Sequence, residues 1–413
     1  MKILYLTDRF LPEVSAPCFR AMEHARVWVE NGHEVTVVTC APNSPRGKIF
    51  DGYRNKLYQT ERMDEVSVIR LWSYMAANVG VLKRTLDYLS FMLAAIAMCW
   101  RFPRFDVIVA SSPTFFTAVA GYVISILRRR PWVFLIRDLW PASIRAVGAS
   151  DSRALDWVER LELYLYRKAH RIVAVGNAIK ADLVSRGIPA EKIDVVTNGV
   201  DPEQFNPSRV TFDARPRIGI EAGDFLAGYI GTTGMAHGLE TILDAAEHCR
   251  DDDRIRFLIM GDGARRQELE DSARRREIPN LLFKDVVPHD QIPSYLASMD
   301  LSIIHLRPDP VFRTAIPSKT FECMAMGVPI LMGVEGDAAR IVEESGSGIC
   351  IPPGDPDAMA AEVRRLASSP DELRELGRKG MSAVGERYGR PVLALRELAS
   401  VEAAIEAYRR DRR

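Results

Sequence analysis

The sequence is poor in cysteine, and its N-terminal apolar run is short. Six cysteines occur among 413 residues and none forms a C-x-x-C pair, so we expect reduced core thiols in a cytosolic protein. The first apolar residues give way to Asp8 and Arg9, which makes this run a first strand and too short for a signal peptide. Internal repeats and low-complexity tracts are also missing. These absences exclude a disulfide-stapled secreted domain and a repeat protein.

The chain also lacks net charge, but its charges are unevenly distributed. Residues 1–200 hold 27 basic against 19 acidic side chains, whereas residues 201–413 hold 28 against 36. A basic N-terminal half suits an anionic membrane surface or a phosphorylated acceptor, although two ordinary surfaces that differ by chance give the same pattern. We expect no nucleic-acid partner, because the arginines are not interleaved with an aromatic platform.

What the sequence does contain is a regular alternation of apolar strand-like runs and helix-length segments. This alternation is typical of a parallel, doubly wound α/β sheet. The strand-like runs are Ile3–Thr7, Val35–Cys40, Val66–Leu71, Val107–Ser111, Trp132–Ile136, Ile172–Val175, Val195–Thr197, Phe225–Ile230, Arg256–Met260, Leu281–Phe283, Leu301–Ile304, Val328–Leu331 and Gly348–Ile351.

A polar, proline-containing stretch after residue 200 interrupts this alternation. We therefore predict an α/β protein of two Rossmann-like doubly wound domains that face each other across a cleft, with ligands beyond the carboxyl ends of the strands. The predicted parts are an N-terminal domain at 1–200, a linker at 201–216, a C-terminal domain at 217–390 and a helix at 391–413 placed to pack back on the first domain.

The stretch Ile316–Leu331 predicts a short helix followed by a buried strand. Pro317 and Ser318 are typical of a helix start, with the Ser318 hydroxyl as N-cap, and Gly327 is typical of a helix end. The N-terminus of such a helix presents unpaired N–H groups and a partial positive charge. It therefore suits an anion such as a phosphate.

Lys319 and Glu322 lie in the first turn of this predicted helix. Lys319 adds charge for a phosphate, whereas Glu322 would repel a phosphate and instead suits hydroxyl donors such as those of a ribose. Together they predict a clamp for a nucleotide sugar. The alternative is a glutamate that complements the helix dipole beside a solvated lysine.

Two glycine turns follow predicted strands in the second half of the chain. Gly231 and Thr232 follow one strand, and Gly261 and Gly263 follow the next. Glycines let backbone amides approach a phosphate closely. The G-x-G-x-x-G order and its acidic partner are missing, which argues against a nicotinamide site. We predict that these residues and the 316–331 stretch bind a nucleotide diphosphate.

The segment Leu86–Trp100 is apolar nearly all round and has basic residues on both sides. Lys83 and Arg84 precede it, and Arg101 and Arg104 follow it. Its 15 residues fall short of the ~20 that span a bilayer. A helix sheltered between the sheet and another layer explains the pattern as well as a helix that lies on a membrane surface.

Four motifs together resemble those of glycosyltransferase family 4, and the resemblance covers nearly the whole chain. They follow the strand-like run Ile172–Val175, and they are Asn198–Asp201, Phe205–Pro207, Gly261–Gly263 and Glu322–Pro329. The resemblance implies the GT-B fold, with the acceptor on the side of the first domain and the nucleotide sugar in the second. It also implies retention of anomeric configuration and no requirement for a metal or another cofactor.

Two shorter motifs, Arg137–Pro141 and Pro317–Lys319, resemble those of a branch that serves bacterial surface polysaccharide assembly. This implies transfer of a sugar, often N-acetylated, from a UDP donor to an undecaprenyl-diphosphate-linked acceptor. Such an enzyme would be cytoplasmic and peripheral on the inner face of the cell membrane.

The sequence departs from the family pattern at several charged positions. Thr314 stands where the family has the first of two glutamates, of which Glu322 matches the second, and Arg137 stands where a histidine is common. Thr232 and His237 occupy the positions of a usual Arg and Lys after the glycine turn. Either the chain is inactive, or the charge that neutralises the diphosphate has moved to residues such as Arg307, Arg313 and Lys319.

We assign transition-state charge stabilisation to Lys319, with Arg313 as its helper. The leaving phosphate can take the acceptor proton in a retaining reaction, so a protein base is optional, and Asp138 is the candidate. The alternative is that Asp138 caps its turn or pairs with a neighbouring arginine. Glu13 and Arg20, in and after the first loop, are predicted acceptor contacts, although Arg20 at a helix start has the same pattern.

Two other functions fit the same sequence. A UDP-N-acetylhexosamine 2-epimerase shares the fold and would convert the donor without an acceptor. A non-catalytic nucleotide-sugar-binding partner of an assembly complex is suggested by Thr232, His237 and Thr314. It would bind UDP without turnover.

Overall fold

The structure, a computed structural model, describes residues 1–13, 15–43, 47–75, 81–112, 115–137 and 153–412. The chain forms two compact units. Unit 1 comprises Met1–Thr197 together with Arg390–Arg413, and unit 2 comprises Asn198–Gly389.

Unit 1 is built on an eight-stranded sheet of order β3-β4-β2-β1-β5-β6-β7-β8. Every neighbouring pair is parallel except β3 and β4, which are antiparallel. The strands are β1 (Lys2–Leu6), β2 (Glu34–Cys40), β3 (Tyr58–Met63), β4 (Val66–Leu71), β5 (Val107–Ser111), β6 (Trp132–Ile136), β7 (Arg171–Ala174) and β8 (Ile193–Val195).

Six of the apolar runs predicted as strands in unit 1 coincide with strands. The run predicted at Val195–Thr197 shares only Val195 with β8, and β3 is an additional strand. Its sequence, YQTERM, alternates partly exposed with exposed residues, because β3 lies at the edge of the sheet. An edge strand with so few apolar residues lacks the continuous run that marks a buried parallel strand. The helices of this part are α1 (Ala16–Glu30), α2 (Val81–Met98), α3 (Phe115–Arg128), α4 (Arg153–Lys168) and α5 (Asn177–Ser185).

Helix α2 contains most of the apolar segment predicted from the sequence. Phe91, Ala95 and Cys99 are buried, whereas Leu93 and Trp100 are 55% and 67% exposed. The segment therefore buries one face against unit 1 and leaves an apolar stripe in solvent. No helix within the described residues is both long enough and apolar enough to cross a membrane.

Unit 2 is built on a six-stranded, wholly parallel sheet of order β11-β10-β9-β12-β13-β14. The strands are β9 (Phe225–Ile230), β10 (Ile255–Met260), β11 (Leu281–Lys284), β12 (Leu301–His305), β13 (Ile330–Gly333) and β14 (Gly348–Cys350). The helices are α6 (Arg215–Ile218), α7 (Glu240–His248), α8 (Arg266–Arg275), α9 (Ile292–Leu296), α10 (Lys319–Met326), α11 (Asp337–Ser345), α12 (Pro356–Ala367) and α13 (Pro370–Ala383). The predicted α/β architecture of two Rossmann-like units is confirmed.

The boundaries of the units differ from the predicted ones. Residues 201–216 belong to unit 2 rather than forming a separate linker, because Phe205 and Ala214 are buried in its core. The last helix, α14 (Arg390–Arg410), belongs to unit 1. There the indole N–H of Trp28 on α1 donates to the carbonyl oxygen of Ala394 at 2.8 Å.

Candidate functional site

The two glycine turns of unit 2 lie against each other. The backbone N–H of Gly231, after β9, donates to the carbonyl oxygen of Met260, and the N–H of Thr233 donates to that of Asp262, each at 2.9 Å. Gly261 has a φ of 139°, and a Cβ on it would lie 1.9 Å from the carbonyl oxygen of Gly231. Only glycine permits this approach. The turns therefore form one surface at the carboxyl ends of adjacent strands.

Gly263 closes the same surface. A Cβ on this residue would lie 2.7 Å from the carbonyl oxygen of Thr233, and its φ is 157°. Thr233 is fully buried, whereas the preceding Thr232 is exposed. Of the two threonines, Thr232 is thus the one whose side chain can reach a ligand.

The side chain of Lys319 reaches this surface from helix α10. Its Nζ lies 3.9 Å from the centroid of the Tyr229 ring, on the strand that leads into the first glycine turn. A Cβ on Gly231 would lie 2.3 Å from the same nitrogen, and the φ of Gly231 is 152°. The absence of a side chain at Gly231 therefore leaves room for the ammonium group. The turn and the helix, predicted as two phosphate-binding elements, share one cation.

The ammonium of Lys319 is partly desolvated although some of its side chain is accessible. Burial lowers the pKa of Lys319 to about 8, while the neighbouring Glu322 and Cys323 act in the opposite direction. Burial also raises the pKa of Tyr229, so its phenol stays neutral and donates to the carbonyl oxygen of Thr232 at 2.7 Å. A bound anion would restore to Lys319 the electrostatic stabilisation that burial removes.

Helix α10 begins and ends at the predicted residues, but the predicted cap is not made. Ser318 is the N-cap residue, yet its backbone is helical and its hydroxyl makes no capping hydrogen bond. The carbonyl oxygen of Ser318 instead accepts from the N–H of Phe321 at 3.0 Å. Gly327 ends the helix with a left-handed φ of 68°. Glu322 lies in the first turn, partly exposed, one turn from Ser318.

The other predicted cations are arranged differently from Lys319. Arg313 is 61% exposed at its side chain, and its Nε donates to Glu335 at 2.8 Å. Arg307 is exposed and follows β12. Burial lowers the pKa of His237, and the charge of Lys319 lowers it further, so this imidazole is neutral at pH 7. Of these side chains, Lys319 is the one that lies against Gly231.

His305 is a site residue that the sequence pattern did not single out. It is the buried last residue of β12, its Nδ1 lies 2.8 Å from the carbonyl oxygen of His237, and its Nε2 accepts from the N–H of Gly354 at 2.9 Å. These contacts set a neutral ring with the proton on Nδ1, and burial lowers its pKa. His305 thereby fixes the turn that contains His237. In the sequence, the one feature that could have indicated His305 is its position as a polar residue directly after the apolar run 301–304.

The motif that begins at Asn198 is tied to the start of the 316–331 stretch. The Nδ2 of Asn198 donates to the carbonyl oxygen of Ile316 at 3.1 Å. Thr314, which stands at the position of a family glutamate, donates its hydroxyl proton to the carbonyl oxygen of Val311 at 3.2 Å.

Among the described residues, no group of three or more His, Cys, Asp or Glu side chains is arranged to hold a metal ion.

A second cluster of charges is buried in unit 1 around Arg137, the residue after β6. Its N–H donates to Ser112 Oγ at 2.8 Å, and its Nη2 lies 3.3 Å from Oε2 of Glu397 on α14. The same Oε2 lies 3.3 Å from Nδ1 of His24. Nε and Nη1 of Arg137 are buried without a hydrogen-bond partner in the part of the chain that the structure describes.

Arg20 adds a second guanidinium to this cluster. Burial lowers the pKa of Arg20 to about 9, and the neighbouring Arg137 lowers it further. Burial by itself would raise the pKa of Glu397, but His24, Arg137 and Arg20 bring it to about 2. Two guanidiniums and an imidazole thus stabilise the charge of one buried carboxylate. The sequence did not predict that Glu397 would belong to this cluster.

Two further residues of unit 1, Glu13 and Asp138, were predicted to belong to the site. Glu13 is buried, accepts from the N–H of Asn43 at 2.7 Å and lies 3.4 Å from Arg9 Nη1, so it fastens the first loop. Asp138, the candidate base, lies outside the described residues.

Both halves of the chain match models of glycosyltransferase families. The model of Glycosyltransferase Family 4 matches residues 20–204, and that of Glycosyl transferases group 1 matches residues 224–369. A putative colanic acid biosynthesis glycosyl transferase, WcaI of Escherichia coli, is 24% identical over 381 residues, which cover 90% of this chain and 93% of WcaI.

Solved structures share the fold of the whole chain. Anabaena HepE, crystallised with UDP and glucose, superposes with a TM-score of 0.70 at 18% identity, covering 98% of this chain and 100% of HepE. The trehalose 6-phosphate synthase of Burkholderia multivorans gives a TM-score of 0.75 at 13% identity, covering 100% of this chain and 98% of that enzyme. At these identities the likeness extends to the fold alone.

Proposed function

The chain belongs to glycosyltransferase family 4, and on that premise we propose that it moves a sugar from a UDP donor to a lipid-diphosphate-linked acceptor. We propose further that transfer retains the anomeric configuration, that the sugar is N-acetylated, and that the product enters a bacterial surface polysaccharide. The name of WcaI, a colanic acid biosynthesis relative, supports the last point. The enzyme would work at the inner face of the cell membrane.

The position of Lys319 is the observation on which the donor assignment rests. Its Nζ occupies the space left by Gly231, at the carboxyl end of β9, where the family's usual cations are replaced by Thr232 and His237. As UDP leaves, negative charge grows on its phosphates, and a preorganised ammonium stabilises that charge. The presence of UDP in the HepE crystal supports a uridine nucleotide.

Glu322 completes the donor proposal. It lies in the first turn of α10, three residues from Lys319, and a carboxylate there is suited to the two hydroxyls of a ribose. Hydrogen bonds to a charged acceptor contribute roughly 1.5–3 kcal/mol, so Glu322 would set affinity for the nucleoside while Lys319 acts on the phosphates.

The acceptor proposal rests on the charge cluster of unit 1. Arg20 and Arg137 both act on the carboxylate of Glu397, and two buried nitrogens of Arg137 have no hydrogen-bond partner among the described residues. Guanidinium groups of this kind suit a diphosphate, which is the charged part of a lipid-linked acceptor. In a retaining reaction the leaving phosphate can accept the proton from the acceptor hydroxyl, so Asp138 would be an auxiliary base.

The first experiment identifies the donor and then the reaction. A panel of UDP-sugars is screened by thermal shift, and the stabilising donors are incubated with and without lipid-diphosphate acceptors. We expect sugar transfer only when the acceptor is present. Conversion of the donor without acceptor would establish an epimerase instead, and UDP binding without turnover on any acceptor would establish a binding protein.

The second experiment tests the ribose assignment. We expect Glu322→Ala to abolish transfer and to weaken UDP binding roughly 12-fold or more, as loss of a charged hydrogen-bond acceptor implies. Glu344→Ala, which removes an exposed carboxylate from the same unit, is the matched control. If Glu322→Ala binds UDP as tightly as this control, the ribose assignment is wrong.

A further inference from the structure

Unit 1 has a pocket at the amino ends of its strands, the edge opposite to the end of β6 where Arg137 lies. It encloses about 610 Å³ between the last turns of α3, α4 and α14, and Lys192, which precedes β8, lines one side. This volume is within the range of small-molecule sites, roughly 300–1,000 Å³. Neither the family motifs nor the donor and acceptor proposals make use of it.

The pocket lining is strongly basic. Asp411 is the acidic lining residue, against six basic ones: Arg129, Arg130, Arg167, Lys168, Lys192 and Arg412. In the part of the chain that the structure describes, no ion pair involves any of these six side chains. One carboxylate among six cations leaves like charges that repel one another, and a bound anion would reduce that repulsion.

One of the basic residues that line the pocket, Arg129, has an unfavourable backbone conformation. Arg129 adopts a φ of 51°, a left-handed conformation in which glycine is the usual residue after a helix. Its carbonyl oxygen accepts from the Tyr408 hydroxyl of α14 at 2.8 Å. Lys192 Nζ donates to the carbonyl oxygen of Arg167 at 2.6 Å. Such a conformation persists only where the surrounding structure enforces it, and residues in such conformations are concentrated at ligand sites.

The electrostatics of Lys192 agree with a surplus of positive charge. Burial lowers the pKa of Lys192 to about 8, Asp411 opposes this change, and the neighbouring Lys168 adds to it. His170, whose ring lies edge-on 5.2 Å from that of Tyr408, has a lowered pKa because of burial and the charge of Lys192.

The pocket also offers apolar surface beside its charges. Tyr122, Ile126 and Tyr408 line it, and Ile126 is 56% exposed. Arginine and lysine side chains bind phosphate oxygens through charge-assisted hydrogen bonds, and the rings and the isoleucine can cover the organic part of a phosphate ester. We propose that this pocket binds a phosphate ester, separately from the sugar donor. The ester is either the head group of an anionic lipid or a soluble metabolite.

The soluble source is tested by calorimetric titration of the full chain with glycerol 3-phosphate in saturating UDP, which keeps the donor site filled. We expect binding to the parent and a roughly tenfold or greater loss of affinity in the variant Arg130→Ala/Lys168→Ala. Both residues are exposed, so the variant should fold, and an unchanged thermal shift by UDP checks this. The matched control is Arg54→Ala/Lys56→Ala, two exposed cations elsewhere in unit 1.

The lipid source is tested by sedimentation of the same three proteins with vesicles of phosphatidylglycerol and phosphatidylcholine. A loss specific to the pocket variant in either assay supports the proposal, and the assay in which it occurs identifies the source. Equal behaviour of the pocket variant and its control in both assays would overturn it. Neither readout measures sugar transfer, so failure of this proposal is distinguishable from failure of the proposed transferase activity.

Discussion

The ammonium nitrogen of Lys319 lies 3.9 Å from the centre of the Tyr229 ring. A cation–π contact of this kind contributes about 0.5–2 kcal/mol and therefore favours this position of the side chain. Because Tyr229 leads directly into the glycine turn, the contact favours a position of the ammonium beside Gly231. The cation that the turn itself lacks is thus supplied from helix α10.

We expect Lys319→Ala to lower kcat more than it raises KM for the donor, by ~100-fold or more, because one transition-state contact is lost. Arg313→Ala should act in the same sense but more weakly, since Arg313 is exposed and engaged by Glu335. His237→Ala should cost little at neutral pH. Steady-state kinetics with the identified UDP-sugar measure all three.

The control for this series is Lys379→Ala, which removes an exposed lysine of unit 2 that lies 3.6 Å from Glu375. It should behave as the parent does. If His237→Ala abolished activity and Lys319→Ala did not, the glycine turn would supply the cation for the diphosphate. That result would contradict the hypothesis that this charge has moved to Lys319.

A methyl group at Gly231 should displace the ammonium of Lys319. We expect Gly231→Ala to weaken UDP binding, because its Cβ would lie 2.3 Å from Lys319 Nζ. Gly223→Ala is the matched control, since Gly223 also has a positive φ, 101°, but has no atom within 4 Å of the added Cβ. Equal UDP affinities in the two variants, measured by calorimetry, would show that the contact with Lys319 does not matter.

The affinity for UDP should fall as pH rises above about 8. The free Lys319 has a pKa of about 8 because of burial, and the bound diphosphate raises that pKa by stabilising the ammonium. Between the two pKa values the free protein must take up a proton in order to bind, so affinity falls by up to about tenfold per pH unit. Titrations between about pH 7 and pH 9 measure this slope. Lys319→Arg, whose guanidinium stays charged, should abolish it, and an unchanged slope in that variant would exclude Lys319 as the titrating group.

The exposed apolar stripe of helix α2 and of the turn that follows it predicts contact with membranes. Leu86, Leu93 and Trp100 are exposed and basic residues flank the segment, so we expect salt-sensitive sedimentation with anionic vesicles. Polybasic attraction amounts to about 1 kcal/mol per residue near such a surface. Replacing all three with Gln should abolish binding, whereas Ile49→Gln/Leu57→Gln, at exposed positions elsewhere in unit 1, should not. No sedimentation at low salt would leave α2 as a helix that only packs on the sheet.

The sequence by itself determined the elements of this protein. Buried parallel strands need continuous apolar runs, and such runs marked every strand except the two at the edges of the unit 1 sheet. The polar strand Tyr58–Met63 was missed, and the run predicted at Val195–Thr197 shares only one residue with Ile193–Val195. The turns at Gly231 and Gly261 were also predictable, because positive φ angles and close backbone contacts require glycine. The lysine at the start of α10 could be assigned to a phosphate for a similarly local reason, the dipole of the helix.

Only the tertiary structure decided which of these local features meet. Lys319 and Gly231 are far apart in the chain, and so are Glu397 and Arg137, which the return of α14 to unit 1 brings within 3.3 Å. The basic pocket likewise combines residues from α3, α4 and α14. Local periodicity fixes how a segment folds, but contacts between distant segments depend on the packing of the whole sheet and its helices, which the pattern of any one segment does not contain.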